Sequence, residues 1–295
     1  MTAPAERLRA LLATPGLDVM PCCGDGLSAR LIADAGYRVS FMSGFAVSAL
    51  RLGAPDAGLI SYAEMADTVR NVCAAAPELP IICDGDTGYG NALNVQRTVA
   101  GYARAGAAAV MIEDQVAPKK CGHTRGKSVI ARDEARAKIR AAVEAGKRAG
   151  VLVMARTDAR ATHGVDEALR RIEDFAAEGA DMLFLEAPED EVEMRAFIAA
   201  SGGRACMANM VHGGRTPILP PAELGRIGYR LAAYPLVLLS AAVSAMREAL
   251  DALRPGTAAP FPAMPSFEDL QEVVGFPEYW DGEARFAAKP APDSR

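Results

Sequence analysis

Short apolar runs, each closing on a glycine or a polar cluster, recur at 18–21, 39–42, 81–84, 109–112, 152–155, 182–185, 205–208 and 229–232, with alanine-rich stretches between them. That alternation predicts repeated βα units around a parallel sheet. The stretch 165–178 shows the helical half of a unit: Ala168, Ile172, Phe175 and Ala176 fall on one face. Gly36, Gly106, Gly150 and Gly179 each follow a helix and precede a strand, as left-handed caps do. Eight units predict an α/β fold of the (β/α)8, TIM-barrel type, with a doubly wound open sheet as the competing architecture.

The polar residues favour the barrel. Asp84 and Asp86, Glu113 and Asp114, Arg156 and Asp158, Glu186, and Asn209 lie at or just past the carboxyl ends of successive runs, where a barrel builds its active site. The pattern assigns 1–254 to the barrel and 255–295 to a helical extension, in which helical periodicity returns over 266–274 and the residues from 287 onward read as disordered.

Composition narrows the function classes. A net charge of −5 with no Lys/Arg run argues against nucleic acid and against a membrane surface. The longest apolar run, 231–246, is broken by Pro235, Ser240 and Ser244 and falls short of the ~20 residues a bilayer span needs. The first residues do not read as a secretory signal, and the six cysteines show no C-x-x-C pair, so a reduced, cytoplasmic chain is expected. Cys22, Cys23, Cys83 and Cys206 end apolar runs, as small core residues do; Cys121 does not.

Three segments carry candidate chemistry. Asp84-Gly85-Asp86-Thr87-Gly88-Tyr89-Gly90-Asn91 sets two carboxylates against a glycine-rich turn, which suits Mg2+ and equally suits a helix cap with turn glycines. Ile112-Glu113-Asp114-Gln115 adds acids that can act on a metal through water, or cap and pair. The polar loop from Pro118 through Lys119-Lys120-Cys121-Gly122-His123 to Lys127 reads as a mobile lid or as a solvated basic loop. In the lid reading, Lys119, Lys120 and His123 favour a Cys121 thiolate, whereas a dianionic substrate favours the neutral thiol able to donate a proton. Arg156 and Arg160 bracket Asp158, and a guanidinium there can grip a carboxylate or pair with Asp158 or Glu186, while Asn209 with Thr216 can bind a carboxylate without adding charge. The three histidines lack the spacing of a zinc site and no Gly-x-Ser-x-Gly elbow occurs, which argues against a zinc or serine hydrolase.

Together these segments, with Met42-Ser43-Gly44, Met154-Ala155-Arg156-Thr157-Asp158, Asn209-Met210-Val211 and Thr216-Pro217, resemble the isocitrate lyase and phosphoenolpyruvate mutase superfamily from about residue 19 to about residue 250. The resemblance implies a Mg2+-dependent (or Mn2+-dependent) enzyme, commonly a homotetramer whose C-terminal helices swap between subunits. It implies Asp84 and Asp86 at the metal, with Asp56 and Glu113 acting through water. Cys121, Lys119, His123 and Glu113 would be catalytic, with Cys121 the acid. Ser43, Gly44, Gly122, Arg156, Glu186, Asn209, His212 and Thr216 would bind substrate. The Lys-Lys-Cys-Gly-His segment marks the lyases of the superfamily, which points to cleavage of a 2-hydroxy dicarboxylate to a 2-oxo acid plus a carboxylic acid.

Two departures bear on the substrate. Methylisocitrate lyases usually carry an arginine where this chain has Leu238-Leu239-Ser240, and many have glycine at Phe45, so the resemblance leans toward the 2,3-dimethylmalate and 2-alkylmalate lyases. His212 stands where that group usually has glutamate. An oxaloacetate-type decarboxylase or hydrolase, a phosphonate mutase, and a non-catalytic carboxylate-binding barrel are the competing functions.

Overall fold

Eight parallel strands close on themselves in sequence order. They are β1 Asp18–Cys23, β2 Ser40–Met42, β3 Ile81–Asp84, β4 Ala109–Glu113, β5 Leu152–Thr157, β6 Met182–Leu185, β7 Ala205–Asn209 and β8 Leu231–Tyr234. β8 closes the ring by pairing Leu231 with Asp18 and Tyr234 with Pro21. The structure, a computed structural model, describes residues 2–122, 124, 126–256 and 261–287. The closed ring excludes the open doubly wound sheet.

The strands read as continuous apolar runs because both of their faces are buried. One parity (Met20 and Cys22, Phe41, Ile82, Ala109 and Met111, Leu152 and Met154, Met182 and Phe184, Met207, Leu231 and Ala233) forms one core cluster, which fills the barrel. The other parity (Cys23, Met42, Cys83, Val110 and Ile112, Val153 and Ala155, Leu183 and Leu185, Ala208, Ala232) packs with helical residues in a second cluster. Every expected strand is present, with the eighth shifted to begin at Leu231 rather than Tyr229. Tyr229 belongs to the outer layer, where its ring centroid lies 5.9 Å from that of Phe197.

Local signals set the connections. Gly36, Gly106, Gly150 and Gly179 all have positive φ, as expected of caps. On the helix Val165–Ala177 the buried face holds Ala168, Ile172 and Phe175 together with Arg171. Arg171 is buried because its guanidinium meets Asp114 at 3.1 Å and the Ile130 carbonyl at 3.0 Å. Asp114 also accepts from the Thr157 hydroxyl and the Asp158 amide, so one carboxylate ties the end of β4 to the end of β5. This explains why β5 runs on to Thr157.

Contacts divide the chain into units 1–241 and 242–295. Within the second, the helices Phe267–Val274 and Phe276–Phe286 pack on each other, Ser266 capping the first of them. The expected tail from residue 288 onward lies outside the described residues. All six cysteines are free thiols. No helix among the described residues is long and apolar enough to cross a membrane.

Candidate active site

The parity that fills the barrel continues upward into the site. Two residues beyond Phe41, Ile82, Met111, Met154, Phe184, Met207 and Ala233 come Ser43, Asp84, Glu113, Arg156, Glu186, Asn209 and Pro235. Side chains two apart on a strand share a face, so along β2 to β7 the last inward position carries chemistry where the ones below it carry packing. All of these except Glu113 line one cavity, with Phe45, Asp56, Cys121, Gly122, Val211 and Leu236 from the loops above. Glu113 is 2% exposed and lies behind the Arg156 guanidinium, 3.3 Å from its Nε.

Two cations organise the rim. The Lys119 ammonium, 5% exposed, sits 2.5 Å from Asp56 Oδ1 and 2.9 Å from Asp86 Oδ1. Burial works to depress its pKa, but Asp86, Asp84, Glu113 and Asp56 outweigh burial and hold it well above the usual lysine value. Arg156 spreads its guanidinium over Asp158 (2.8 Å), Glu186 (2.9 Å) and Glu113, with its carbon 5.2 Å from the centre of the Phe184 ring.

Of the two alternatives read from its sequence, the helix cap is visible in the turn after β3. Asn91 caps the helix Ala92–Ala105. The two aspartates turn away to the site, at the cost of left-handed backbone at Asp86 (φ 48°) and Tyr89 (φ 59°). The strained turn places the Tyr89 hydroxyl 3.1 Å from Asp86 Oδ2, donating to it.

The cysteine loop is neither free nor simply solvated. Lys119 plugs it into the carboxylates, the Cys121 amide donates to the Asp56 carbonyl at 3.1 Å, and Gly122 lies flat against Arg156 and Glu186. A methyl group on Gly122 would overlap both of those side chains. On the returning arm, Lys127 Nζ donates to the Gly122 carbonyl and pairs with Asp158 at 2.7 Å. Lys119 faces carboxylates and Lys120 the Gly126 carbonyl at 2.8 Å. Cys121 itself is half-buried and lines the cavity.

The donor set fits a divalent cation. Asp56, Asp84, Asp86, Glu113, Asp158 and Glu186 are all buried, against the cations Lys119, Lys127 and Arg156, a surplus of three negative charges. Asp86 Oδ1, its ion pair with Lys119 aside, and Glu113 Oε1 are buried without a hydrogen-bond partner among the described residues. Burial, then repulsion from Asp86, pushes the Asp84 carboxyl up to about 6. Burial likewise raises Glu113 well above the carboxylate range, with Arg156 opposing it. A dication beside these carboxyls would favour their ionised forms. Among the described residues no three His, Cys, Asp or Glu side chains are grouped so as to hold a metal ion. Gly44 allows the approach: its amide donates to Asp84 Oδ2 at 3.2 Å, and a Cβ there would stand 2.7 Å from the same oxygen.

Other expected residues fall elsewhere. His212 is exposed on the loop after β7 and does not line the cavity. Thr216 is buried, its hydroxyl without a hydrogen-bond partner among the described residues, and it does not line the cavity either. His123 lies outside the described residues. Arg160 turns away to Glu189 and Glu193. Lys127 and Gln115 were not singled out from the sequence, and no local pattern marks them, because their partners lie across the loop.

Comparison with known proteins agrees with this geometry. The phosphoenolpyruvate phosphomutase family model matches residues 8–254. The carboxyvinyl-carboxyphosphonate phosphorylmutase of Arabidopsis thaliana is 42% identical over 287 residues, 95% of this chain and 84% of the relative. The 2,3-dimethylmalate lyase of Eubacterium barkeri is 40% identical, covering 96% of this chain and 98% of the relative. The 2-methylisocitrate lyase of Bacillus subtilis (strain 168) is 40% identical, covering 82% and 78%. Among solved structures, oxaloacetate acetylhydrolase in complex with 3,3-difluorooxalacetate superposes with a TM-score of 0.93 at 34% identity, covering 98% of this chain and 99% of that one. Phosphonopyruvate hydrolase in complex with oxalate and Mg2+ superposes with a TM-score of 0.83 at 28% identity, covering 97% and 100%.

The charge surplus has a measurable consequence. Asp84 has a folded-state pKa raised from 3.8 to about 6, so its stabilising contribution is full below about pH 4 and is lost as pH rises through about 6. Ionisation at neutral pH therefore costs the folded state about 3 kcal/mol. Losing one of its two accepted amide bonds returns about 1 kcal/mol of that. With divalent metal chelated, Asp84→Asn is expected to raise stability at pH 7 by about 2 kcal/mol, read as a higher urea midpoint, and to lose that advantage near pH 4. An Asp84→Asn protein no more stable than wild type at pH 7 contradicts the account.

Proposed function

The chain belongs to the phosphoenolpyruvate phosphomutase family, within the phosphoenolpyruvate mutase and isocitrate lyase superfamily, and on that premise we propose that it is a carbon–carbon lyase. Its substrate in this reading is a small 2-hydroxy dicarboxylate of the 2-alkylmalate or 2,3-dimethylmalate type, cleaved to a 2-oxo acid such as pyruvate plus a carboxylic acid. The observation that carries the reading is the Cys121 thiol on the wall of the same cavity that Asp84, Arg156 and Glu186 line.

Asp84 and Asp86 would hold Mg2+ (or Mn2+), with Asp56 and Glu113 acting through its waters. When bound, the ion supplies a positive charge that stabilises oxygen anions of the substrate. The protein supplies the rest. Ser43 and Asn209 offer neutral donors to a carboxylate beside Gly44, whose own amide donates to Asp84, and Arg156, held by three acids, gives one fixed cationic face. A base takes the C2 hydroxyl proton, the freed O–H electron pair forms the C2 carbonyl as the C2–C3 bond breaks, and the pair of that bond passes to C3 as an enediolate. Cys121 gives its thiol proton to C3.

The far wall supports a dicarboxylate over a tricarboxylate. It consists of Phe45, Val211, Pro235 and Leu236, and Arg156 is the only cation lining the cavity among the described residues. A third carboxylate would face apolar carbon there, whereas an alkyl substituent gains about 0.8 kcal/mol per buried methylene. The likeness to oxaloacetate acetylhydrolase supports a second reading, hydrolysis of an oxaloacetate-like acid; the apolar wall offers nothing to hold an attacking water on that side.

Purified protein with Mg2+ is expected to release 2-oxo acid from 2,3-dimethylmalate or a 2-alkylmalate faster than from 2-methylisocitrate. Cys121→Ser should lower kcat by at least ~100-fold, the usual worth of a positioned acid. No oxo acid from any of the three defeats the substrate assignment; full cleavage by Cys121→Ser defeats the acid. Oxalate and acetate from oxaloacetate would select the second reading.

We also propose a cytoplasmic homotetramer. Phe267, Leu270, Val274, Tyr279 and Trp280 of the 242–295 unit are exposed, and a partner copy would cover such a surface. Light scattering should report about four times the 31.0 kDa chain mass; a monomer contradicts the proposal.

A further inference from the structure

Gln115 is 1% exposed and does not line the cavity, yet its side chain is fully engaged. Its Oε1 accepts from the Lys120 amide at 3.0 Å and its Nε2 donates to the Lys120 carbonyl at 2.9 Å. The amide side chain thus pairs with the main chain of a residue five positions on, as a neighbouring strand would. The backbone around Gln115 meanwhile holds the returning arm of the loop. Gln115 bridges Val129, the Val116 amide donates to the Ser128 carbonyl, and the Ile130 amide donates to the Asp114 carbonyl. One residue therefore joins the end of β4, the returning arm, and the residue immediately before Cys121.

From this arrangement we infer that Gln115 is the positioning residue for Cys121. Lys119 is held through its side chain, Lys120 through its backbone by Gln115, and Cys121 through its own amide on the Asp56 carbonyl. The first and third anchors both run to Asp56. Gln115 supplies the one of the three that runs from the end of β4, and restraint from more than one element is what fixes the direction of a thiol on a loop. Only an amide of this length satisfies the site. Glutamate presents a second acceptor to the Lys120 carbonyl and keeps one bond of the two, and methionine keeps neither.

The role of the thiol as acid rests on the lyase reading; the restraint on the loop does not. The test compares wild type, Gln115→Glu and Gln115→Met. Alkylation of Cys121 by iodoacetamide at fixed pH is followed by peptide mass spectrometry, with half-buried Cys73 as the reference in the same sample. Steady-state kinetics are run on whichever malate derivative the wild type cleaves. Release of the loop should speed Cys121 alkylation about tenfold in Gln115→Met and by a smaller factor in Gln115→Glu, with Cys73 unchanged. In the same variants kcat should fall at least ~10-fold with KM within ~3-fold, because alignment of the acid is lost while the binding groups stay in place.

Wild-type Cys121 alkylation in both variants overturns the inference. So does acceleration of Cys73 and Cys121 together, which would show general loosening instead. Should Gln115→Met fail to fold, the isosteric Gln115→Glu carries the comparison. Should the wild type cleave none of the malates, the lyase reading fails while the Cys121-to-Cys73 alkylation ratio still decides the role of Gln115.

Discussion

A buried ammonium among carboxylates is the interaction on which the rest of this site depends. Withdrawing the Lys119 charge from water costs several kcal/mol, and the contacts with Asp56 at 2.5 Å and Asp86 at 2.9 Å must offset that cost. They do so by joining three separate segments: the loop before the first long helix, the strained turn after β3, and the cysteine loop after β4. The ammonium also only partly neutralises its surroundings. Asp84 and Glu113 keep raised pKa values, so the barrel mouth is folded around a deficit of positive charge that Mg2+ would make good.

The same arrangement divides the labour of the cavity. Charged groups crowd the side built by β3 to β6, where Asp84, Arg156 and Glu186 project. Apolar groups form the side built by the loop of Phe45 and by Val211, Pro235 and Leu236. Cys121 and Gly122 line the same cavity, with Gly122 close against the Arg156–Glu186 pair. This division is the ground on which a small hydroxy dicarboxylate with an alkyl substituent is proposed as substrate.

Much of this was legible in the sequence. The strand runs and their polar ends were, because inward parity continues without a break from the packing layer to the ring of Ser43, Asp84, Glu113, Arg156, Glu186 and Asn209. The burial of Lys119 was not. Its neighbours in sequence are polar and cationic, and its partner Asp56 lies 63 residues away. Lys127 and Gln115 escaped notice for a related reason: each acts across a loop whose closure no local period encodes. His212 shows the converse, a position that motif matching marks but whose side chain the structure leaves exposed, away from the cavity.

Hydrogen exchange on the Lys119→Met protein, with the wild type alongside and divalent metal chelated, tests the dependence on the buried ammonium most directly. The Cys121 amide, which donates to the Asp56 carbonyl, should exchange at least ~10-fold faster in the variant, while amides of β4 and β5 keep their protection. Unchanged exchange at Cys121, with the strands equally protected, would show that the loop is held by other means and would contradict the account.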